Sequence, residues 1–287
     1  RNEQDMKDVF TMKPDQHTAL YGVIGNPVRH SLSPALHNAA FSATGLNAVY
    51  LAFEAADIEA CIGGIAALGI KGASITIPFK TSVIPHLNEL DPLAERIGAV
   101  NTIVNTGGRL TGYNTDALGA LKALEEEIEI FGKRCILVGA GGAARAIGFI
   151  LKEKGGILSV VNRSRSAGEG LARSLGCEFI PLRDIAAARG DLLIQATPCG
   201  MWPHVDQCPV PQQVLKQGMV VMDIVYDPSE TRLLRMARER GCTTINGIRM
   251  LIHQGAEQFR LWTGIDPPLS IMNMAIQEAL LKQHDAH

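Results

Sequence analysis

The sequence predicts an α/β protein of two domains, the second a doubly wound parallel sheet, with C-terminal helices that return to the first. Three observations predict it. Short apolar strands alternate with helical stretches along almost the whole chain, the pattern of βαβ units with right-handed crossovers. One strand, Cys135-Ile-Leu-Val138, is apolar at every position, as in a parallel strand buried on both faces, and it runs straight into a glycine turn and a helix. Two consecutive helices close the chain with no strand between them. The chain has 287 residues, and a domain takes roughly 100–200.

The first series opens with a strand over 21–25. A helix over 33–44 follows, with Ser33 as its N-cap and Pro34 at the first helical position, where a missing N–H leaves no bond unmade. A strand over 49–53 and a helix over 58–68, ended by Gly69, come next. In the strand over 74–77, Ile75 and Ile77 alternate with Ser74 and Thr76 until Pro78 removes a ladder donor. A helical patch over 91–97 leads to strands over 100–104 and 110–113, paired as a hairpin across Thr106-Gly107-Gly108.

The second series begins after Asp116, with a helix over 117–127 and the buried strand over 135–138. A helix over 143–154 stops at Gly155-Gly156, and a strand over 158–161 follows. Segments at 171–175, 192–196, 220–225, 233–240 and 243–245 continue the alternation. The closing helices, over 247–262 and 269–282, are expected to pack back on the first domain. That divides the chain into 12–116 with 251–287, and 117–250, with a cleft between the two parts.

Composition excludes several classes. At 46% hydrophobic and 20% charged, the chain can bury a sizeable core. A net charge of −2 without a basic run argues against a nucleic-acid footprint. No apolar run reaches the ~18 residues of a spanning helix. The start, Arg1-Asn-Glu-Gln-Asp-Met6, lacks the apolar stretch of a secretory signal, so a cytoplasmic protein without membrane contact is expected. Met6 or Met12 is the expected natural start, and what precedes it is set aside from the fold reading. Cys61, Cys135, Cys177, Cys199, Cys208 and Cys242 show no C-x-x-C spacing and read as reduced thiols. His30 and His37 lie seven apart without a third ligand, so no metal is expected.

The turn Gly139-Ala140-Gly141-Gly142-Ala143-Ala144 fits the G-x-G-x-x-A dinucleotide fingerprint of a Rossmann sheet. Gly139 makes the tight turn, Gly141 admits a pyrophosphate close to the backbone, and Ala144 permits close helix–strand packing. The helix N-terminus adds free N–H groups and partial positive charge. A bare βα turn would give the same string, but the strand before it and the helix after it favour a ligand. About 20 residues on, an NAD site expects an acid for the ribose hydroxyl. The chain instead has Asn162-Arg163-Ser164-Arg165, which suits a 2′-phosphate and predicts NADP; a solvated arginine pair is the plain alternative.

These pieces do not stand alone. Gly25-Asn-Pro-Val-Arg-His-Ser-Leu-Ser-Pro-Ala-Leu-His-Asn38, Ile75-Thr-Ile-Pro-Phe-Lys80, Gly98-Ala-Val-Asn-Thr-Ile103, Gly112-Tyr-Asn-Thr-Asp116, Ala196-Thr-Pro-Cys-Gly-Met201, Asp223-Ile-Val-Tyr226 and the stretch from Gly247 to Gln254 follow one another in this order. Together with the glycine turn and Asn162-Arg163-Ser164, they resemble the shikimate dehydrogenase family nearly end to end. The resemblance implies an N-terminal substrate domain, an NADP domain and a C-terminal segment returning to the first. It also implies the NADPH-dependent reduction of 3-dehydroshikimate to shikimate, in aromatic amino-acid biosynthesis.

Through the resemblance, Ser31 and Ser33 take the substrate carboxylate, although a capping role would explain either serine. Thr76, Asn101, Asp116 and Gln254 take ring hydroxyls, with Thr76 on the strand face opposite Ile75 and Ile77, and Asp116 closing the hairpin. Lys80 and Asp116 are the catalytic pair: reduction of a ketone needs a positioned cation or acid where charge develops on oxygen. The proton path stays open at this point. Thr197 and Met201 border the nicotinamide, and Ile224, Tyr226 and Gly247 are further contacts to cofactor or substrate. Gln195 stands where the family often has asparagine, which weakens any role for that side chain. Competing readings are a quinate/shikimate dehydrogenase preferring NAD, against which the arginines count, and a silent NADP-binding sensor, which would have a damaged Lys/Asp pair. A monomer or a homodimer fits equally.

Overall fold

The computed structural model describes residues 14–284, so the polar start with Met6 and Met12 lies outside the described residues. Of the described residues, 14–115 and 255–284 form one compact unit, and Asp116–Gln254 form the other.

The first unit is built on strands β1 (Ala19–Gly25), β2 (Ala48–Glu54), β3 (Gly72–Ile75), β4 (Glu89–Leu90), β5 (Thr102–Thr106) and β6 (Arg109–Tyr113), in the order β2-β1-β3-β5-β6-β4. β1 runs parallel to β2 and β3, while β5 runs antiparallel to both β3 and β6. Helices α1 (Ser33–Ala43), α2 (Ile58–Leu68) and α3 (Pro92–Ile97) connect them. Local chemistry sets the ends: Asp57 accepts from the Ala60 N–H to cap α2, and Asp91 accepts from Leu93 N–H to cap α3 ahead of Pro92.

Three expectations fail here. Ser33 is the first helical residue of α1, not its cap; Leu32 holds the cap position, and the Ser31 hydroxyl accepts the Ser33 N–H at 3.2 Å. β3 stops at Ile75, so Thr76 is not on a strand, and Ile77 is 50% exposed; the turn to Pro78 ends the ladder early. Asp116 does not close the hairpin, which turns at Gly107-Gly108 and ends at Tyr113; Asp116 opens the next helix.

One face of this sheet packs on Ile58, Ile62, Ile65, Val83 and Val100. On the other, the rings of Tyr21, Phe41, Phe259 and Trp262 pack in tilted pairs with centroids 5.1–5.8 Å apart. Phe259 and Trp262 come from α8 (Gly247–Thr263), and α9 (Leu269–His284) packs against α1. The Trp262 indole N–H donates to Ile103 O at 2.9 Å, so the returning helix is tied to the backbone of β5. The C-terminal helices thus complete the first unit.

The second unit has β7 (Arg134–Val138), β8 (Ile157–Asn162), β9 (Glu178–Pro181), β10 (Leu192–Gln195), β11 (Val220–Asp223) and β12 (Thr243–Ile245), with α4 (Asp116–Glu125), α5 (Gly142–Glu153), α6 (Arg165–Leu175) and α7 (Arg232–Glu239). The order is β9-β8-β7-β10-β11-β12, parallel throughout. This is the doubly wound dinucleotide-binding order, with its switch point between β7 and β10. β9 has no counterpart in the sequence reading. It is four residues long, lies at the sheet edge and ends in Pro181, whose missing donor an edge tolerates.

Candidate active site

In an open α/β sheet, ligands bind beyond the carboxyl ends of the strands at the switch point. In the first unit, β1 lies between β2 and β3, and the candidate residues follow that edge. Ser31 and the buried Ser33 come after β1, Thr76 follows β3, and Asn101 precedes the antiparallel β5 at the same end. Thr76 donates its N–H to Ile24 O (3.0 Å) and accepts from Phe79 N–H (2.8 Å). Lys80, half-buried in the following turn, accepts the Val100 N–H at 2.7 Å through its carbonyl, which anchors its backbone beside Asn101.

A buried hydrogen-bond chain stands behind Asn101. Tyr50 OH donates to Ser74 Oγ (2.6 Å), which donates to Gln258 Oε1 (2.9 Å). His37 Nε2 lies 3.2 Å from the same oxygen; an amide oxygen only accepts, so this nitrogen carries the proton. Burial holds His37 neutral, lowering its pKa to about 3. Gln258 Nε2 donates to Asn101 O (3.2 Å) and Thr102 Oγ1 (2.9 Å). Asn101 Oδ1 accepts from Thr115 N–H and Thr102 Oγ1, each at 2.8 Å, and its Nδ2 donates to Thr115 Oγ1 at 2.9 Å. Asn101 is thereby held in one amide orientation, 2% exposed, and fixes the residue just before Asp116. Sequence reasoning missed Gln258, whose Gln254 + 4 spacing on α8 is the only hint. Asn105 Nδ2 donates to Ile65 O and Ile70 O, and Asn114 Nδ2 donates to Ala99 O.

Asp116 opens α4 and is 4% exposed; Gln254 on α8 is 8% exposed and donates to Leu251 O at 3.0 Å. Both belong to the second unit.

At the second unit's switch point, Gly139 has φ +127°, and an added Cβ would meet Ala196 O at 2.8 Å, so the ends of β7 and β10 touch only because this residue is glycine. An added Cβ on Gly141 would meet nothing within 4 Å, which leaves room over Gly141, beside Ala140, Gly142 and Ala143 at the start of α5. A pyrophosphate fits such a turn: it needs close backbone approach and the first free N–H groups of a helix.

β10 and β11 lead into Thr197–Met201 and Ile224–Tyr226, and one side chain touches both strand ends. Gln195 is fully buried. Its Oε1 accepts from Thr197 N–H and Thr197 Oγ1, each at 2.6 Å, and its Nε2 donates to Thr197 O, Cys199 O and Asp223 Oδ1 at 3.0–3.2 Å. The expectation that glutamine weakens a role here is therefore wrong; the longer amide spans the turn and reaches the next strand. Met201 is 38% exposed, Thr197, Ile224 and Tyr226 are half-buried, and Gly247 is buried against the Ile224 carbonyl.

Beyond β8, the Asn162 Nδ2 donates to Ser164 O at 2.9 Å and closes the turn that presents Arg163. Ser164 caps α6 without using its side chain, and Arg165 is the first residue of that helix, with Nε 3.4 Å from Glu169. A cavity of about 630 Å³ is lined by Arg163, Arg165, Pro181, Leu182 and Arg183.

Known proteins match most of the chain. The shikimate dehydrogenase substrate binding domain model matches residues 23–103, and the shikimate 5′-dehydrogenase C-terminal domain model matches 247–277. The shikimate dehydrogenase (NADP(+)) of Moorella thermoacetica is 45% identical over 279 residues, spanning 92% of this chain and 94% of the relative. A crystal structure of a shikimate dehydrogenase in complex with NADP+ superposes with TM-score 0.88 at 41% identity, covering 93% of this chain and 98% of the other. The Thermus thermophilus enzyme with NADP(H) and shikimate gives 0.84 at 38% identity, covering 92% of this chain and all of the other. At such identity over so much of each chain, and with the fold shared, this protein belongs to the shikimate dehydrogenase family.

Proposed function

We propose that the protein catalyses the reversible, NADPH-dependent reduction of 3-dehydroshikimate to shikimate, in the shikimate route to aromatic amino acids. The observation that carries this reading is the gathering of Ser31, Thr76, Lys80 and Asn101 at one sheet edge in a chain so similar to NADP(+)-dependent shikimate dehydrogenases. Bound NADPH supplies the hydride to the carbonyl carbon. The chain's residues hold the acid and deliver the proton. Ser31 and Ser33 hold the substrate carboxylate; an accepting serine hydroxyl keeps its own proton for donation. Thr76, Asn101, Gln254 and Tyr226 bond ring hydroxyls. Lys80, working with Asp116, polarises the carbonyl and gives its proton to the oxygen; in the oxidative direction the same pair receives that proton. Gly139, Ala140, Gly141, Gly142 and Ala143 hold the pyrophosphate. Asn162, Arg163, Ser164 and Arg165 hold the 2′-phosphate. Thr197, Met201, Ile224 and Gly247 border the nicotinamide.

Two finer points belong to the same proposal. The protein acts in the cytoplasm, in keeping with the described residues, where no helix is long and apolar enough to cross a membrane. It works as a monomer or homodimer. Replacement Lys80→Ala tests the chemical role: kcat should fall by ~10²–10⁴-fold, the size of a general-acid contribution, with NADPH affinity unchanged by direct titration. Retained turnover would remove Lys80 from the chemistry.

A further inference from the structure

The sequence run Asn162–Arg165 accounts for two cations beside the cavity, but the cavity has a third. Arg183 lies twenty residues beyond Arg163, so no local string joins them. The fold does. β8 and β9 are parallel neighbours, with Asn162 in register with Pro181. The chain therefore leaves both strands at the same level: Arg163 and the start of α6 step off one, and Leu182 and Arg183 step off the other. Three arginines from two segments then line one cavity of about 630 Å³, with half-buried Pro181 and Leu182 as its apolar wall.

Three like charges around one space repel unless an anion joins them, and none of the described residues lining the cavity is an acid. Arg165 does lie near Glu169, and Arg183 Nε is 3.6 Å from Asp184 Oδ2. Both pairs are exposed, the arginine side chains 69% and 83%, so they contribute little and yield to a dianion that accepts bidentate bonds. We propose that Arg183 is a third ligand of the ribose 2′-phosphate, and that it sets the preference for NADPH over NADH together with Arg163 and Arg165. The proposal rests on the NADP reading above. Pro181 and Leu182 place an apolar surface next to that phosphate, suited to one face of the adenine.

Binding measured directly by calorimetry, apart from turnover, tests it. In Arg183→Ala the Kd for NADP+ should rise about tenfold, the equivalent of one charge-assisted hydrogen bond, while the Kd for NAD+ changes less than about twofold. Arg183→Lys should recover part of the loss, because a point charge remains without the fork. Arg183 is exposed, so its replacement should leave folding intact, and an unchanged melting temperature of the apo variant checks this. Equal weakening for both cofactors, or none for NADP+, would overturn the role of Arg183. Wild-type protein with no preference for NADP+ would instead overturn the NADP reading itself. Loss of preference in Arg163→Ala but not in Arg183→Ala would reject only Arg183.

Discussion

The Asp223 carboxyl is 1% exposed and accepts from three donors: Thr231 Oγ1 at 2.7 Å, Val225 N–H at 3.0 Å and Gln195 Nε2 at 3.2 Å. Burial raises its pKa to about 7; the three bonds pull it down but do not win. The group keeps its proton longer in the fold than in the unfolded chain. Its contribution to stability is thus complete below the ordinary value of 3.8 and is lost as pH rises through about 7. Replacement Asp223→Asn copies the protonated form, with an amide N–H in place of the acid's O–H to donate to the Thr231 hydroxyl oxygen. Between about pH 4 and pH 8, the wild type should lose on the order of a few kcal/mol relative to this variant. Thermal melts of both proteins across that range would show it; parallel curves would mean the carboxyl titrates normally. Asp223 and Gln195 are not legible as a pair in the sequence, because a strand-end acid and a strand-end amide on different strands carry no shared spacing. The turn at Gly139–Gly142 and the start of α6 after Asn162 are legible as local structure, because each is a contiguous string between a strand and a helix.

Elements divide in the same way. α2 and α3 can be read to within a residue, since Asp57 and Asp91 cap them and glycines follow them. The apolar alternation overruns the end of β3 by two residues, because Ile77 extends it and only the turn at Pro78 cancels it. β9 escapes a sequence reading because an edge strand of four residues ending in proline has neither length nor period. α8 shows why an element's start is specified as tightly as its face. A Cβ on Gly247 would lie 2.6 Å from both the Ile224 carbonyl carbon and the Val225 oxygen, so backbone rather than a yielding side chain blocks it. Gly247→Ala should therefore destabilise the second unit by ~1–3 kcal/mol, the cost of overpacking, and weaken cofactor binding through the displaced Ile224 segment. Denaturant unfolding followed with and without NADP+ measures both, and a wild-type midpoint would show that the contact relaxes freely.

At the scale of the whole molecule, the βαβ alternation leads to the right fold class, and the two closing helices lead to their return to the first sheet. Trp262 and Phe259 explain that return: their rings complete an aromatic layer with Tyr21 and Phe41 that the first series of elements leaves uncovered. The strand order of the first sheet is not legible, since antiparallel β5 and β6 insert between β3 and the short β4 through pairings far apart in sequence. The most direct measurement follows NADP+ and NAD+ reduction by absorbance with shikimate and with quinate. The account predicts a kcat/KM for shikimate with NADP+ at least about tenfold above each other combination, equivalent to one lost charge-assisted contact. Faster turnover with quinate or NAD+, or no turnover with shikimate, would contradict it.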